Sequence, residues 1–187
     1  PVKNGCVGTR YPFLCDYVRR TLLNNPNLGQ TWSERESLLN RGGLKITTMI
    51  DPAAQDAAQE TLSAKVLPVH PVITTSVLIE PGTGLIVAMA QNRPVMGTNQ
   101  DVGETYDNYA VEQKMGGAEG YQAGSTFKAF TLATALDQGI PTTKKLAGTG
   151  PLQFKGQTFR TCDSSFKFNQ DYEVRNSTGN YGEIDMF

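Results

Sequence analysis

Histidine is nearly absent from this chain: His70 is the only one among 187 residues. There is also no CxxC pair and no Cys/His cluster, so a zinc-type site and imidazole-based metal chemistry are not expected. His70 sits between Pro68 and Pro71 and reads as a surface loop residue; a Ser-His-Asp triad through it is open but poorly supported. Charge of one sign is lacking too. Lys and Arg number 17 and Asp and Glu 18, for a formal net charge of -1, and no basic stripe marks a nucleic-acid surface. Long apolar runs are missing: the longest, around Leu85 to Ala90, is far too short to cross a bilayer. Cysteine is scarce at three residues. Cys6 and Cys15 lie nine apart in a turn-rich stretch, and a disulfide between them would suit an extracytoplasmic protein. All three as free thiols in small cores is the other reading, and spacing alone does not choose.

What is present is globular. Hydrophobic residues make up 39% and charged residues 19%, which separates the chain from disordered sequences. The length suits one domain with a real core, or one and a half small ones. The sequence begins at Pro1 and ends at Phe187 with no leader visible, so both ends are expected to be cuts in a longer protein.

Residues 1–43 read as a small helical lead-in. Leu14, Tyr17, Val18, Thr21 and Leu22 predict a helix from Phe13 to Asn24, stopped by Asn25-Pro26-Asn27. Ser33 and Glu36 match a capping box for a second helix, closed by Arg41-Gly42-Gly43. From residue 44 the texture changes. Leu44, Ile46, Thr48 and Ile50 alternate with Lys45, Thr47 and Met49, which predicts a strand. Asp51-Pro52 offers an N-cap and an N1 proline to a helix with Ala54, Ala58 and Leu62 on one side, ending before Pro68. Val72 to Ile79 and Leu85 to Gln91 read as a hairpin around Glu80-Pro81-Gly82-Thr83, a type II turn signature. Residues 92–124 are polar and glycine-rich, a long loop of the functional or mobile kind. Residues 142–187 read as loops and short strands with many aromatics, and no internal repeat is visible.

The loop leads into Gly120-Tyr121-Gln122-Ala123-Gly124-Ser125-Thr126-Phe127-Lys128. Phe127, Phe130, Ala133 and Leu136 recur at helical spacing, and Gly139 with Pro141 ends the pattern. Ser125 and Lys128 therefore share a face at the head of a helix, where Lys128 can take the serine proton. Free N–H groups in the first turn favour a developing alkoxide on Ser125 and disfavour an ammonium nearby. A lysine must lose its proton to act as a base, which takes burial or a neighbouring cation in addition. The plain alternative makes Ser125 an N-cap and Lys128 a solvated surface lysine. An S-x-x-K match is weak by itself, and Ser164-Ser165-Phe166-Lys167 also fits. That second match has no helical apolar stripe behind it.

Gly124-Ser125-Thr126-Phe127-Lys128, with Phe130-Thr131-Leu132 and Ala135-Leu136 after it, resembles the first catalytic motif of penicillin-binding protein transpeptidase domains. Leu44 to Asp51 followed by Gln55 and Ala58 resembles the entry to that domain in bifunctional class A members. Ile79 to Met89 resembles their first hairpin. Cys15-Asp16-Tyr17-Val18 and Leu38 to Leu44 look like the preceding linker, most like actinobacterial members. The resemblance implies an α+β, β-lactamase/transpeptidase-like fold, truncated here. Residues 1–43 would be the linker and 44–187 the N-terminal part of the transpeptidase domain.

It also implies catalytic roles for Ser125 as nucleophile and Lys128 as acylation base, with no cofactor and no metal. The substrates would be peptidoglycan stem peptides ending in D-Ala-D-Ala, and β-lactams would trap Ser125 as an ester. The parent would be anchored in the bacterial membrane and work on its extracytoplasmic face. It would carry an upstream glycosyltransferase domain and have other cell-wall synthesis proteins as possible partners. The family's Ser-x-Asn motif and Lys-Thr/Ser-Gly strand do not follow Ser125. Tyr106-Asp107-Asn108 superficially resembles a Tyr-x-Asn variant but precedes Ser125 and is assigned to loop. Residue 123 is Ala where Pro is common. This chain alone is therefore expected to be weak or inactive. The alternatives are a D,D-carboxypeptidase, β-lactamase or esterase using the same pair, a β-lactam sensor, or a scaffold module. Asn176-Ser177-Thr178 matches a glycosylation sequon and is treated as chance.

Overall fold

Proline at the first helical position opens α1, Pro12–Leu23, where its missing N–H costs nothing and its fixed φ suits the turn. The computed structural model describes residues 5–161 and 164–186. It is a mixed α+β chain that divides into two compact units, Pro1–Tyr121 and Gln122–Phe187.

In the first unit, α1 buries Phe13, Asp16 and Leu23. A disulfide joins Cys6 to Cys15, with Cα atoms 5.5 Å apart, and pins the segment before α1 to its second turn. Cys162 lies outside the described residues. Helix α2, Trp32–Arg41, follows, and its cap differs from the sequence expectation. Thr31 accepts from the Glu34 N–H at 3.2 Å and Glu34 accepts from the Thr31 N–H at 3.0 Å. The capping box is thus Thr31/Glu34, not Ser33/Glu36. Two T/S-x-x-E patterns overlap here. Arg35 selects the earlier one by donating to the carbonyls of Leu23 and Gly29. Gly42, with φ 73°, ends α2 as expected.

Segment 44–50 is not a strand. It makes no ladder among the described residues and leaves Leu44, Ile46 and Met49 about half exposed. The alternation is present, but nothing pairs with it. Asp51 then caps α3, Pro52–Lys65, by accepting from the N–H groups of Ala53 and Ala54. The hairpin forms antiparallel with β1, Thr75–Ile79, against β2, Ile86–Gln91, and a register irregularity at Leu78/Ile79. Gly82 has φ 86°, the value a type II turn needs at its third position. Strand β1 starts three residues later than expected, because the buried Asn92 side chain holds Thr74 N–H and Val72 C=O instead.

Strand β2 is the buried element, with Ala88, Met89, Ala90 and Gln91 all inside. Its free edge is covered by side chains of α3 rather than by another strand. The Gln55 carboxamide donates to Met89 C=O and accepts from Met89 N–H, both at 2.7 Å. Gln59 donates to Gln91 C=O at 2.8 Å, and Asp51 N–H reaches Val87 C=O at 2.9 Å. The sequence reading put Ala54, Ala58 and Leu62 on the packed side of α3. They are half-buried, and Gln55 is the one buried residue of that helix. The loop after β2 is tied down by Asn108, and Gly117 is required there, since a Cβ would overlap Val111 O.

The second unit begins with a 3₁₀ turn, Gly124–Phe127, running into α4, Lys128–Asp137. Gly139, φ 76°, donates to Leu136 C=O and ends α4 where the sequence places its end. Six short strands follow: β3 Leu146–Ala147, β4 Leu152–Gln153, β5 Thr158–Arg160, β6 Ser165–Lys167, β7 Glu173–Val174 and β8 Glu183–Ile184. They pair β3 with β8, β4 with β7 and β5 with β6, one long antiparallel hairpin interrupted twice. Phe154, Phe159, Phe166, Phe168 and Tyr172 cluster along it, with Phe168 and Tyr172 stacked at 4.8 Å.

Candidate functional site

Ser125 lies inside the 3₁₀ turn that opens α4, directly after Gly124, whose φ of 56° turns the backbone into the helix. The Lys128 N–H donates to Ser125 C=O, the i to i+3 bond of a 3₁₀ turn. Side chains three apart eclipse in that geometry, so Ser125 and Lys128 project from the same side of the turn. The N-cap position belongs to Ala123, and no side chain caps the turn. Ser125 is therefore not the capping serine of the plain alternative. Its hydroxyl lies at the end of a helix where free N–H groups gather.

Both residues are exposed, as are Phe127 and Phe130 on the apolar stripe of α4. The only side-chain hydrogen bonds that α4 makes among the described residues run from Thr131 and Thr134 to carbonyls one turn back. The nucleophile and base expected from the sequence are thus placed together on one turn. The burial that a lysine base requires is not supplied within this unit. A shallow apolar depression of about 380 Å³ runs along α4 between Phe127, Phe130, Thr134 and Ile140.

The other candidates have structural duties. Asn108 is buried: its Nδ2 donates to Phe13 C=O at 3.2 Å and its Oδ1 accepts from Ala110 N–H at 3.1 Å. Tyr106-Asp107-Asn108 is loop, as expected, and its asparagine is spent on anchoring. His70 Nδ1 accepts from Val72 N–H in an exposed loop. The Tyr121 phenol is pushed above its ordinary value by desolvation first, then by Tyr109 and Asp107. In the second S-x-x-K match, Ser164 N–H donates to Thr161 Oγ1 and Lys167 lies in β6. Residues 164 and 167 therefore have no shared helical face. Among the described residues no group of His, Cys, Asp or Glu could hold a metal, and no helix is long and apolar enough to cross a membrane.

The residues that sequence reasoning missed are Gln55 and Gln59. Their signal was the four-residue spacing from Asp51 through Gln55 to Gln59, one face of α3 carrying only polar side chains.

Residues 74–178 match the family described as the penicillin binding protein transpeptidase domain. The chain is 34% identical over 122 residues to penicillin-binding protein 1A of Mycolicibacterium smegmatis, a stretch covering 65% of this chain and 13% of that protein. It is 34% identical over 106 residues to penicillin-binding protein 1A of Mycobacterium tuberculosis, covering 56% of this chain and 11% of that protein. The chain thus spans a small part of the length of the curated relatives it matches. No solved structure matches it. The matched region takes in more than half of the sequence, including the hairpin, the glycine-rich loop, Ser125, Lys128 and α4, and on that ground the chain belongs to the penicillin-binding protein transpeptidase domain family.

Proposed function

We propose that this chain carries the nucleophile segment of a peptidoglycan D,D-transpeptidase, with residues 1–43 as linker and residues from 44 onward as the first part of a β-lactamase-like transpeptidase domain. The observation that carries the reading is the pairing of Ser125 and Lys128 on one side of a helix-opening turn, inside the family-matched region. In the reaction, Ser125 Oγ attacks the carbonyl of the penultimate D-Ala of a stem peptide while its proton passes to Lys128 Nζ. The tetrahedral intermediate collapses by breaking the peptide C–N bond. Lys128 returns the proton to the leaving amine, and the terminal D-alanine departs. The amine of a neighbouring stem then attacks the Ser125 ester and forms the cross-link. A β-lactam follows the first half of this course, but its leaving amine stays tethered, so the ester persists. The Ser125 N–H would be one oxyanion donor.

The working enzyme acts outside the cytoplasm, anchored by a segment of the parent. The Cys6–Cys15 disulfide supports an oxidising compartment. By itself the chain is catalytically weak. Lys128 is exposed, the apolar stripe of α4 is bare, and no Lys-Thr/Ser-Gly strand follows to give a second oxyanion donor. Loss of one such donor costs about a hundredfold or more in rate.

A fluorescent penicillin tests both parts. The parent protein should label at Ser125, mapped by peptide mass spectrometry, and Ser125→Ala should abolish the label. The 187-residue chain should label at least about a hundredfold more slowly. Label mapping to any other residue of the parent sinks the nucleophile assignment, and fast labelling of the short chain sinks the claim that it is weak.

A further inference from the structure

The deepest side chains of the first unit are amides. Gln91, Asn92 and Asn108 are the largest fully buried side chains among the described residues, and all three are spent on loop backbone. Gln91 Nε2 donates to Asp107 C=O at 3.3 Å, and Gln91 Oε1 accepts from Tyr109 N–H at 2.9 Å. Asn108 ties the same loop to α1 through Phe13 C=O, and its own N–H donates to Gly116 C=O at 3.0 Å. Two glycines close the loop. Gly117 N–H donates to Glu112 C=O at 3.0 Å, and a Cβ on Gly116 would lie 2.8 Å from the Arg20 guanidinium of α1. Residues 107–117 are therefore held by β2 on one side and by α1 on another. A buried amide repays its desolvation only when its donors and acceptor are met, and a network met in this way holds one backbone geometry.

The held loop is the last part of the first unit before the nucleophile. Tyr121 ends that unit, and its phenol is close enough to Tyr109 and Asp107 to feel both. Three residues, Gln122 to Gly124, then lead to Ser125. We infer that Gln91 and Asn108 are positioning residues for Ser125: by fixing residues 107–117 they set the point and direction from which the chain enters the nucleophile turn. The inference rests on Ser125 being the nucleophile. Acting through the chain and not on the substrate, the two amides govern the rate of attack rather than the affinity for the ligand. A reacting atom misplaced by about 1 Å can lose about a hundredfold in rate.

The test is acylation of the parent protein by a fluorescent penicillin at increasing concentration, which separates the limiting rate from the half-saturating concentration. Asn108→Ala should lower the limiting rate about tenfold or more and leave the half-saturating concentration unchanged. Gln91→Met, which removes the bonds to Asp107 and Tyr109, is read in the same way. Asn92→Ala is the comparison. Asn92 is as deeply buried, but it holds Thr74 N–H and the carbonyls of Leu67 and Val72. Its loss should lower the urea midpoint and leave the limiting rate as it was. In the unaltered 187-residue chain, the amides of Asn108, Tyr109 and Gly117 should exchange about tenfold or more slowly than free-peptide amides. Unchanged limiting rates, an equal loss in Asn92→Ala, a change confined to the half-saturating concentration, or free-peptide exchange in 107–117 overturns the inference. Label absent from Ser125 in the unaltered parent overturns the nucleophile assignment itself, and the inference with it.

Discussion

Gln55 takes the place that a neighbouring strand would have beside Met89. A carboxamide has the same donor and acceptor as a peptide group, and Gln55 presents both to one residue of β2. Replacing it with leucine keeps the volume but leaves the Met89 N–H and C=O buried and unpaired. Each such group costs about 1–3 kcal/mol. We expect Gln55→Leu to destabilise the first unit by about 2–4 kcal/mol, measured by urea unfolding, and to speed amide exchange at Met89. Gln59→Leu breaks the bonds to Gln91 C=O and Ser63 Oγ but leaves only one strand carbonyl unpaired, and should cost less. The sequence reading took Ala54, Ala58 and Leu62 as one side of this helix and gave its glutamines no part in packing. What holds Gln55 inside and Gln59 half-buried is the edge of a strand some thirty residues away, a partner that the polar four-residue spacing does not name.

Among the elements, those fixed by their own termini were the legible ones. Asp51-Pro52, Gly42 and Gly139 act on the turn they occupy, so the start of α3 and the ends of α2 and α4 fell close to where residue chemistry puts them. Segment 44–50 failed for the converse reason: a strand needs a partner, and alternation records only readiness for one. The α2 cap was misplaced by two residues because Thr31 and Ser33 compete for the same role. The structure separates them by a clear outcome. Thr31→Ala should cost about 1 kcal/mol of stability and Ser33→Ala close to none, by thermal or urea unfolding.

The same cap gives a pH dependence. Backbone hydrogen bonds from Thr31 first, then Gln30, hold the Glu34 carboxyl below its ordinary value. A carboxyl lowered on folding stabilises the fold fully above its unfolded value, near 4.3 for glutamate. That contribution disappears as pH falls through the folded value. Amide exchange or NMR titration of the Thr31 N–H should show it released on acidification in that window, and Glu34→Gln should remove the titration. A Thr31 amide indifferent to acid would rule this out.

At the scale of the whole molecule, the chain consists of two units with different means of cohesion. The first has a disulfide, a buried strand and a small core that includes Phe13, Leu23 and Met89. The second has aromatic pairs along a thrice-paired hairpin whose strands are exposed throughout. Closing the Cys6–Cys15 loop should contribute about 2–3 kcal/mol on the chain-entropy account. Reduction with a dithiol should therefore lower the unfolding midpoint of the first unit and leave that of the second unchanged, read by exchange mass spectrometry unit by unit. Equal shifts in both would show that they unfold together. The placement of Ser125 and Lys128 on one turn was readable in advance because it depends on local spacing alone. The surroundings that would shield it are not local, and no spacing rule supplies them.

The glutamine border on β2 also gives the hairpin a direction. With the carbonyls of Val87, Met89 and Gln91 and the Met89 N–H already engaged from α3 and its cap, an incoming backbone finds every acceptor of these three residues on that flank taken. Enlargement of this two-stranded ribbon is restricted to the flank of β1, so any assembly that completes it must be built outward from Thr75, Val77 and Ile79 in one sense only.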